Sequence, residues 1–156
     1  PMSARRQRQM CIRDRFVTAV FGKLNIKTGE LVFINAGHES ILTFDQNKNY
    51  EYIKSEMPPI GIVKYFTESM VKSNTMNLKD KTFVVYTDGV TEGYLKNGEE
   101  LGAEGVQKII DNMNEMTPKT IVESIEKELN WGAEKLRDDI TCMAININNT
   151  ELIKKK

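Results

Sequence analysis

The sequence is poor in the residues that usually carry chemistry. It has two cysteines, one histidine and one tryptophan in 156 residues. Cys11 and Cys142 cannot build a disulfide framework, and the pair fits a reducing compartment. Cys142 reads as a buried thiol in an apolar strand. There is no excess charge of one sign: Lys plus Arg number 22 and so do Asp plus Glu. A nucleic-acid or membrane-surface binder would need a basic excess, so both classes are set aside. Apolar runs are only a few residues long, which excludes a transmembrane helix. No Gly-rich phosphate loop, no Cys-x-x-Cys and no His-Glu-x-x-His is present. Nor does any serine stand in a nucleophile-elbow context beside His38.

What is present suffices for one domain. Ile, Leu, Val and Phe number 40, about a quarter of the chain, above the level at which disorder is expected. Usage changes abruptly after residue 15. Residues 1–15 hold five of the six arginines and no lysine, whereas residues 16–156 hold Arg137 and all 16 lysines. The segment Gln9–Arg15 resembles a translated adapter junction, without the apolar stretch of a signal peptide. We therefore expect 1–15 to be a non-native leader, 16–148 to be the folded domain, and 149–156 to be a polar tail. The leader is expected to pack poorly, and the domain to lack its N-terminal part.

From Phe16 the order is strands, then helices, then one strand. Phe16–Ile26 and Glu30–Ala36 are β-rich and flank the turn Lys27-Thr28-Gly29. Ser40–Asp45 follows after a short link, and Tyr50–Lys54 follows the polar turn 46–49. Links so short imply antiparallel pairing, and the first three runs are expected to lie in one sheet. Phe66–Lys72 reads as a weak strand. Thr82–Thr87 is apolar on both faces and hence central. Val106, Ile109, Ile110 and Met113 give a helical stripe over 103–114. Thr117-Pro118 is a capped helix start, opening a helix to about Leu136 with Ile121, Val122, Ile125 and Leu129 as its core stripe. Ile140–Ile147 is the last strand. The pattern predicts an α+β fold with antiparallel sheets.

The remaining candidates for chemistry are acidic. Asp88 ends the central strand in Val85–Glu92, and Asp138 and Asp139 precede the last strand. If those strands are antiparallel neighbours, Asp88 and Asp138 meet at one sheet edge. Clustered carboxylates repel unless a cation lies between them, and oxygen ligation suits Mg²⁺ or Mn²⁺. Two oxygens on one Mg²⁺ would lie within about 4.2 Å of each other. Taken singly, Asp88-Gly89 also fits a hairpin turn and Asp138-Asp139 fits surface charge.

Six short blocks occur in consistent order: Phe16-Val17-Thr18, Thr28-Gly29-Glu30-Leu31, Asn35-Ala36-Gly37-His38, Pro59-Ile60-Gly61, Tyr86–Glu92 and Asp138-Asp139-Ile140-Thr141. On these the sequence resembles the metal-dependent protein phosphatase (PPM) family, in its bacterial sporulation stage II protein E (SpoIIE) branch. The resemblance implies an α-β-β-α sandwich of two antiparallel sheets flanked by helices. It implies hydrolysis of protein phosphoserine or phosphothreonine by a water that two Mn²⁺ or Mg²⁺ ions activate. The implied metal ligands are Asp88 and Asp138, with Asp139 secondary. Glu92 resembles a position that some relatives use for a third, weaker ion, and fits a solvated acid beside a helix start more readily. His38 would face the same cleft and contact phosphate or water, or serve only the turn. The implied partner is a phosphorylated anti-sigma factor antagonist, met in the cytoplasm, with dimerisation an open possibility. The family's earlier metal-binding aspartates have no counterpart in residues 1–15. The competing function is a catalytically silent module of the same fold that binds such a partner.

Overall fold

The computed structural model describes residues 16–129 and 139–147. Two antiparallel sheets form the centre. One has three strands in the order β1-β2-β5: β1 (Ala19–Leu24), β2 (Glu30–Ala36) and β5 (Asn74–Asn77). The other has four in the order β4-β3-β6-β7: β4 (Tyr50–Ile53), β3 (Ile41–Asp45), β6 (Lys81–Tyr86) and β7 (Cys142–Ile145). The helices are the single turn α1 (Asp88–Thr91), then α2 (Gly102–Asp111) and α3 (Pro118–Glu128). No helix among the described residues is long and apolar enough to cross a membrane.

Side-chain alternation separates two cores. Leu31 and Phe33 of β2, Ile41, Leu78 and Phe83 fill the space between the sheets. Phe33 and Phe83 meet edge to face, with ring centroids 5.0 Å apart, the arrangement that the ring quadrupoles favour. Leu42, Phe44, Val84 and Tyr86 point the other way and meet Val106, Ile110, Ile121, Ile125 and Leu129 beneath the helices. Of the stripes that the 3.6-residue spacing marked, Val106, Ile110, Ile121, Ile125 and Leu129 are buried, and Ile109, Met113 and Val122 are half-buried at the margin. Thr117 caps α3 by a reciprocal exchange with Thr120, and Pro118 takes the first turn, where a missing N–H costs nothing. At the far end of α2, the Lys48 ammonium donates to the carbonyls of Asp111 (2.6 Å) and Met113 (3.3 Å). A cation suits the negative end of the helix dipole.

Three expectations need correction. The first three strands do not share a sheet: Ser40–Asp45 contributes β3, which pairs with β4 and β6 in the second sheet. Ile41–Phe44 are buried on both faces, so this run belongs at the centre of a layer covered on each side, not at the margin of the first sheet. The Gly37-His38-Glu39 link is thus a passage between sheets, not a hairpin turn. Second, Phe66–Lys72 is not a strand. Its centre is a 3₁₀ turn, Glu68–Met70, with no buried residue. The strand lies further on, at Asn74–Asn77, where pairing with Glu30–Phe33 fixes it. Third, the last helix ends at Glu128 rather than near Leu136, and residues 130–138 lie outside the described residues. The interval 17–44 contains no helix, as expected.

Candidate metal centre

The central strand β6 runs between β3 and β7, antiparallel to both. Its last residue, Tyr86, therefore lies beside the start of each neighbour. At that edge Tyr86 pairs with Cys142. One residue on, the Thr87 N–H donates to the Thr141 carbonyl at 3.0 Å. The Thr87 hydroxyl accepts the Thr141 N–H at 2.9 Å and donates to the Asp139 carbonyl at 2.8 Å. A single hydroxyl thus extends the β6–β7 ladder past its end and ties the Asp139 backbone to Thr87, the residue before Asp88.

Asp88 opens α1, and does not form a hairpin turn. Gly89 and Val90 are buried and anchor the helical turn, while Asp88 itself is exposed. Its Oδ1 accepts the Gly89 N–H at 3.0 Å, and it forms no ion pair among the described residues. Glu92 ends the same turn, exposed, with its N–H donating to the Asp88 carbonyl at 2.8 Å. Asp139 is exposed. Asp138 lies outside the described residues.

His38 rides on the passage between the sheets. Gly37 has φ +67°, and an added Cβ would lie 2.2 Å from Cγ of Pro59 and 2.6 Å from its backbone N. Only glycine fits so close an approach. The His38 N–H donates to Oδ1 of Asn35 at 2.9 Å, and the Asn35 amide donates to the Glu39 carbonyl at 3.0 Å. Asn35 is only 2% exposed, so its side chain is the internal frame of the turn. The imidazole Nδ1 lies 3.2 Å from the Thr18 hydroxyl. Ser55 accepts the Gly37 N–H at 2.7 Å and holds the turn from the other side. Sequence reasoning quoted Asn35 without assigning it a task, although an Asn two residues ahead of a glycine turn is a signal for side-chain to backbone bonding. It missed Thr87 and Ser55, for which a lone hydroxyl gives no signal.

Beneath this edge the surroundings are apolar. Burial, with smaller contributions from Tyr52, Glu39 and Cys142, pushes the Tyr86 phenol up to about 12. Burial alone pushes the Cys142 thiol up to about 11 from an ordinary 9.0. The neutral thiol is the favoured form, so its reactivity should rise only as pH approaches 11. At pH 8, in a Cys11→Ser background, Cys142 is expected to react with a thiol reagent about a hundredfold more slowly than the unfolded chain. Equal rates before and after denaturation would refute this.

Carboxylate oxygens are what Mg²⁺ and Mn²⁺ accept, and Asp88 offers one. Yet no group of three His, Cys, Asp or Glu side chains converges among the described residues. The donor chemistry fits a hard divalent cation, and the described donors are fewer than a closed site requires.

The family model described as Stage II sporulation protein E (SpoIIE) matches residues 3–148. The chain belongs to the SpoIIE family. Protein IcfG of Synechocystis sp. is 28% identical over 137 residues, which is 85% of this chain and 21% of that protein. Two solved SpoIIE-like folds superpose well. The SiaA-PP2C domain of Pseudomonas aeruginosa gives a TM-score of 0.65 at 18% identity, over 84% of this chain and 51% of that one. The phosphatase domain of the cell fate determinant SpoIIE from Bacillus subtilis, presoaked with Mn, gives 0.60 at 18% identity, over 84% and 56%. This SpoIIE-family chain thus spans about half the length of those domains. Its two antiparallel sheets with helices are the fold of PP2C-type protein phosphatases, a hydrolase family.

Proposed function

We propose that this chain is the C-terminal part of a Mn²⁺- or Mg²⁺-dependent protein serine/threonine phosphatase, acting in the cytoplasm on a phosphorylated protein. The finer substrate assignment is a phosphorylated anti-sigma factor antagonist, which follows from the resemblance to the SpoIIE branch. The observation that supports the proposal is the bond from the Thr87 hydroxyl to the Asp139 backbone carbonyl, which brings the chain just ahead of β7 next to the residue that precedes Asp88. Asp88, Asp138 and secondarily Asp139 would hold the metal. When bound, two ions would supply an acidified water and neutralise phosphoryl oxygens. Glu92, one turn beyond Asp88, is a weaker candidate for a further ion. His38, set by Asn35 and Thr18, is a candidate for contact with the phosphoryl group.

The alternative is a silent, protein-binding relative, favoured by the lack of three converging donors among the described residues. Mn²⁺ titration separates the two. Paramagnetic broadening of amide signals is expected to begin at Asp88, Gly89 and Asp139 and to disappear in Asp88→Asn. Broadening confined to other acids, or unchanged in the variant, would overturn the ligand assignment and leave the binding module.

A further inference from the structure

Thr87 stands where strand β6 becomes the helical turn α1, and its backbone is claimed from two sides. Tyr86 pairs with Cys142 at the end of the β6–β7 register, so Thr87 falls opposite Thr141. A bonded antiparallel pair ordinarily exchanges two N–H to C=O bonds. Here only one is of that kind: the Thr87 N–H donates to the Thr141 carbonyl at 3.0 Å. The Thr141 N–H, whose ordinary acceptor would be the Thr87 carbonyl, donates instead to the Thr87 hydroxyl at 2.9 Å. The Thr87 carbonyl is thereby released, and it accepts the Val90 N–H at 2.9 Å to open the turn.

The hydroxyl proton is also diverted. A threonine at a helix N-cap ordinarily turns its oxygen onto an N–H of the first turn. Thr87 is the N-cap of α1 and its side chain makes no such bond. It donates across the sheet instead, to the Asp139 carbonyl at 2.8 Å. One oxygen therefore replaces a ladder acceptor and holds the chain two residues further back. The β-branched side chain has few rotamers, so the strand itself sets where that oxygen lies. All these partners lie between Thr87 and Thr141, and none depends on sequence ahead of Phe16.

This exchange of acceptors has a geometric result. A carbonyl cannot point across the sheet and along a helical turn at once. Were the hydroxyl missing, the Thr87 carbonyl would serve either Thr141 or Val90. Serving Thr141 unwinds the turn that carries Asp88; serving Val90 leaves the backbone of 139–141 loosely held. With the hydroxyl, both segments are fixed together.

We infer that Thr87 is a positioning residue of the metal centre proposed above, its hydroxyl holding the backbone of 139–141 in place relative to Asp88 and so raising the affinity for a divalent cation. The inference rests on that metal reading and adds to it a residue that acts through its neighbours.

The test uses the full chain and two readouts, neither of them activity. Exchange of the Thr141 amide in the metal-free chain reports the bond to the hydroxyl. Paramagnetic broadening at Asp88 and Gly89 during a Mn²⁺ titration reports the affinity. Thr87→Val keeps the branched shape and removes the hydroxyl, whereas Thr87→Ser keeps the hydroxyl. In Thr87→Val, Thr141 exchange should quicken about tenfold and the Mn²⁺ midpoint should rise about tenfold, as for coupled sites generally. Thr87→Ser should match the unaltered chain on both readouts. Unchanged Thr141 exchange in Thr87→Val overturns the inference, and so does faster exchange with an unmoved midpoint. A Thr87→Ser midpoint as high as that of Thr87→Val overturns it too. No broadening at Asp88 in the unaltered chain would instead refute the metal reading, and the positioning role would fall with it. If Thr87→Val fails to fold, the unaltered chain decides. Coupling is reciprocal, so saturating Mg²⁺ should slow Thr141 exchange about tenfold, and an unaltered rate overturns the inference.

Discussion

With Mn²⁺ present, the 156-residue chain is expected to hydrolyse p-nitrophenyl phosphate at less than about a hundredth of the rate of a domain completed by family-type sequence ahead of Phe16. Two-metal hydrolysis needs one cation to acidify the attacking water and another to share the phosphoryl charge. The proposed ligands Asp88, Asp138, Asp139 and Glu92 would carry charge enough for about one loosely held ion, since Mg²⁺ in such sites keeps several waters. No third donor joins Asp88 among the described residues, and the matched solved domains are about twice as long as the stretch aligned here. In the completed domain, Asp88→Asn should lower kcat by at least about a hundredfold. Asn keeps the size and one oxygen, and loses the charge. Brisk Mn²⁺-dependent turnover by the short chain would sink the argument from missing donors. Full activity in the Asp88→Asn domain would remove Asp88 from the site.

The second large effect is on stability. Phe33→Ala is expected to cost about 3–5 kcal/mol, a large share of the total stability of a small domain. Phe33 is 1% exposed and its ring meets the edge of Phe83 across the two sheets. Truncation would remove both the buried ring and the aromatic pair, and neither sheet can move inward without breaking its own ladder. The denaturant midpoint should fall with the slope unchanged. A loss below about 1 kcal/mol would mean that the layer between the sheets repacks freely.

Local periodicity made much of this fold legible. The stripes Val106–Ile110 and Ile121–Ile125, the Thr117-Pro118 start and the doubly apolar Thr82–Tyr86 run each state their environment in their own residues. What failed was assignment of strands to sheets. The link 37–39 is as short as a hairpin, and nothing in its length distinguishes a turn back from a passage across. The distinguishing evidence lay in Ile41–Phe44, where four consecutive buried positions mark a strand covered on both sides. Phe66–Lys72 misled for the converse reason: its apolar residues are exposed, so pattern alone suggested a burial that does not occur. At the candidate site, Asp88 and the adjacency of β6 and β7 were legible because a charge at a strand end is conspicuous. Thr87 and Ser55 were not, since a hydroxyl has a task only once its partner is known, and their partners lie far along the chain.

The tie between Thr87 and Asp139 joins residues 52 positions apart, with α2 and α3 between them. During synthesis from the N-terminus, β6 therefore leaves the ribosome with its acid-bearing end unpaired on one side. It waits until both helices and then β7 have emerged. Such distant pairing bears the full entropy of loop closure before any reward. The acidic edge is thus the last part of the second sheet to be assembled, and a nascent chain halted before Cys142 has no means of making it.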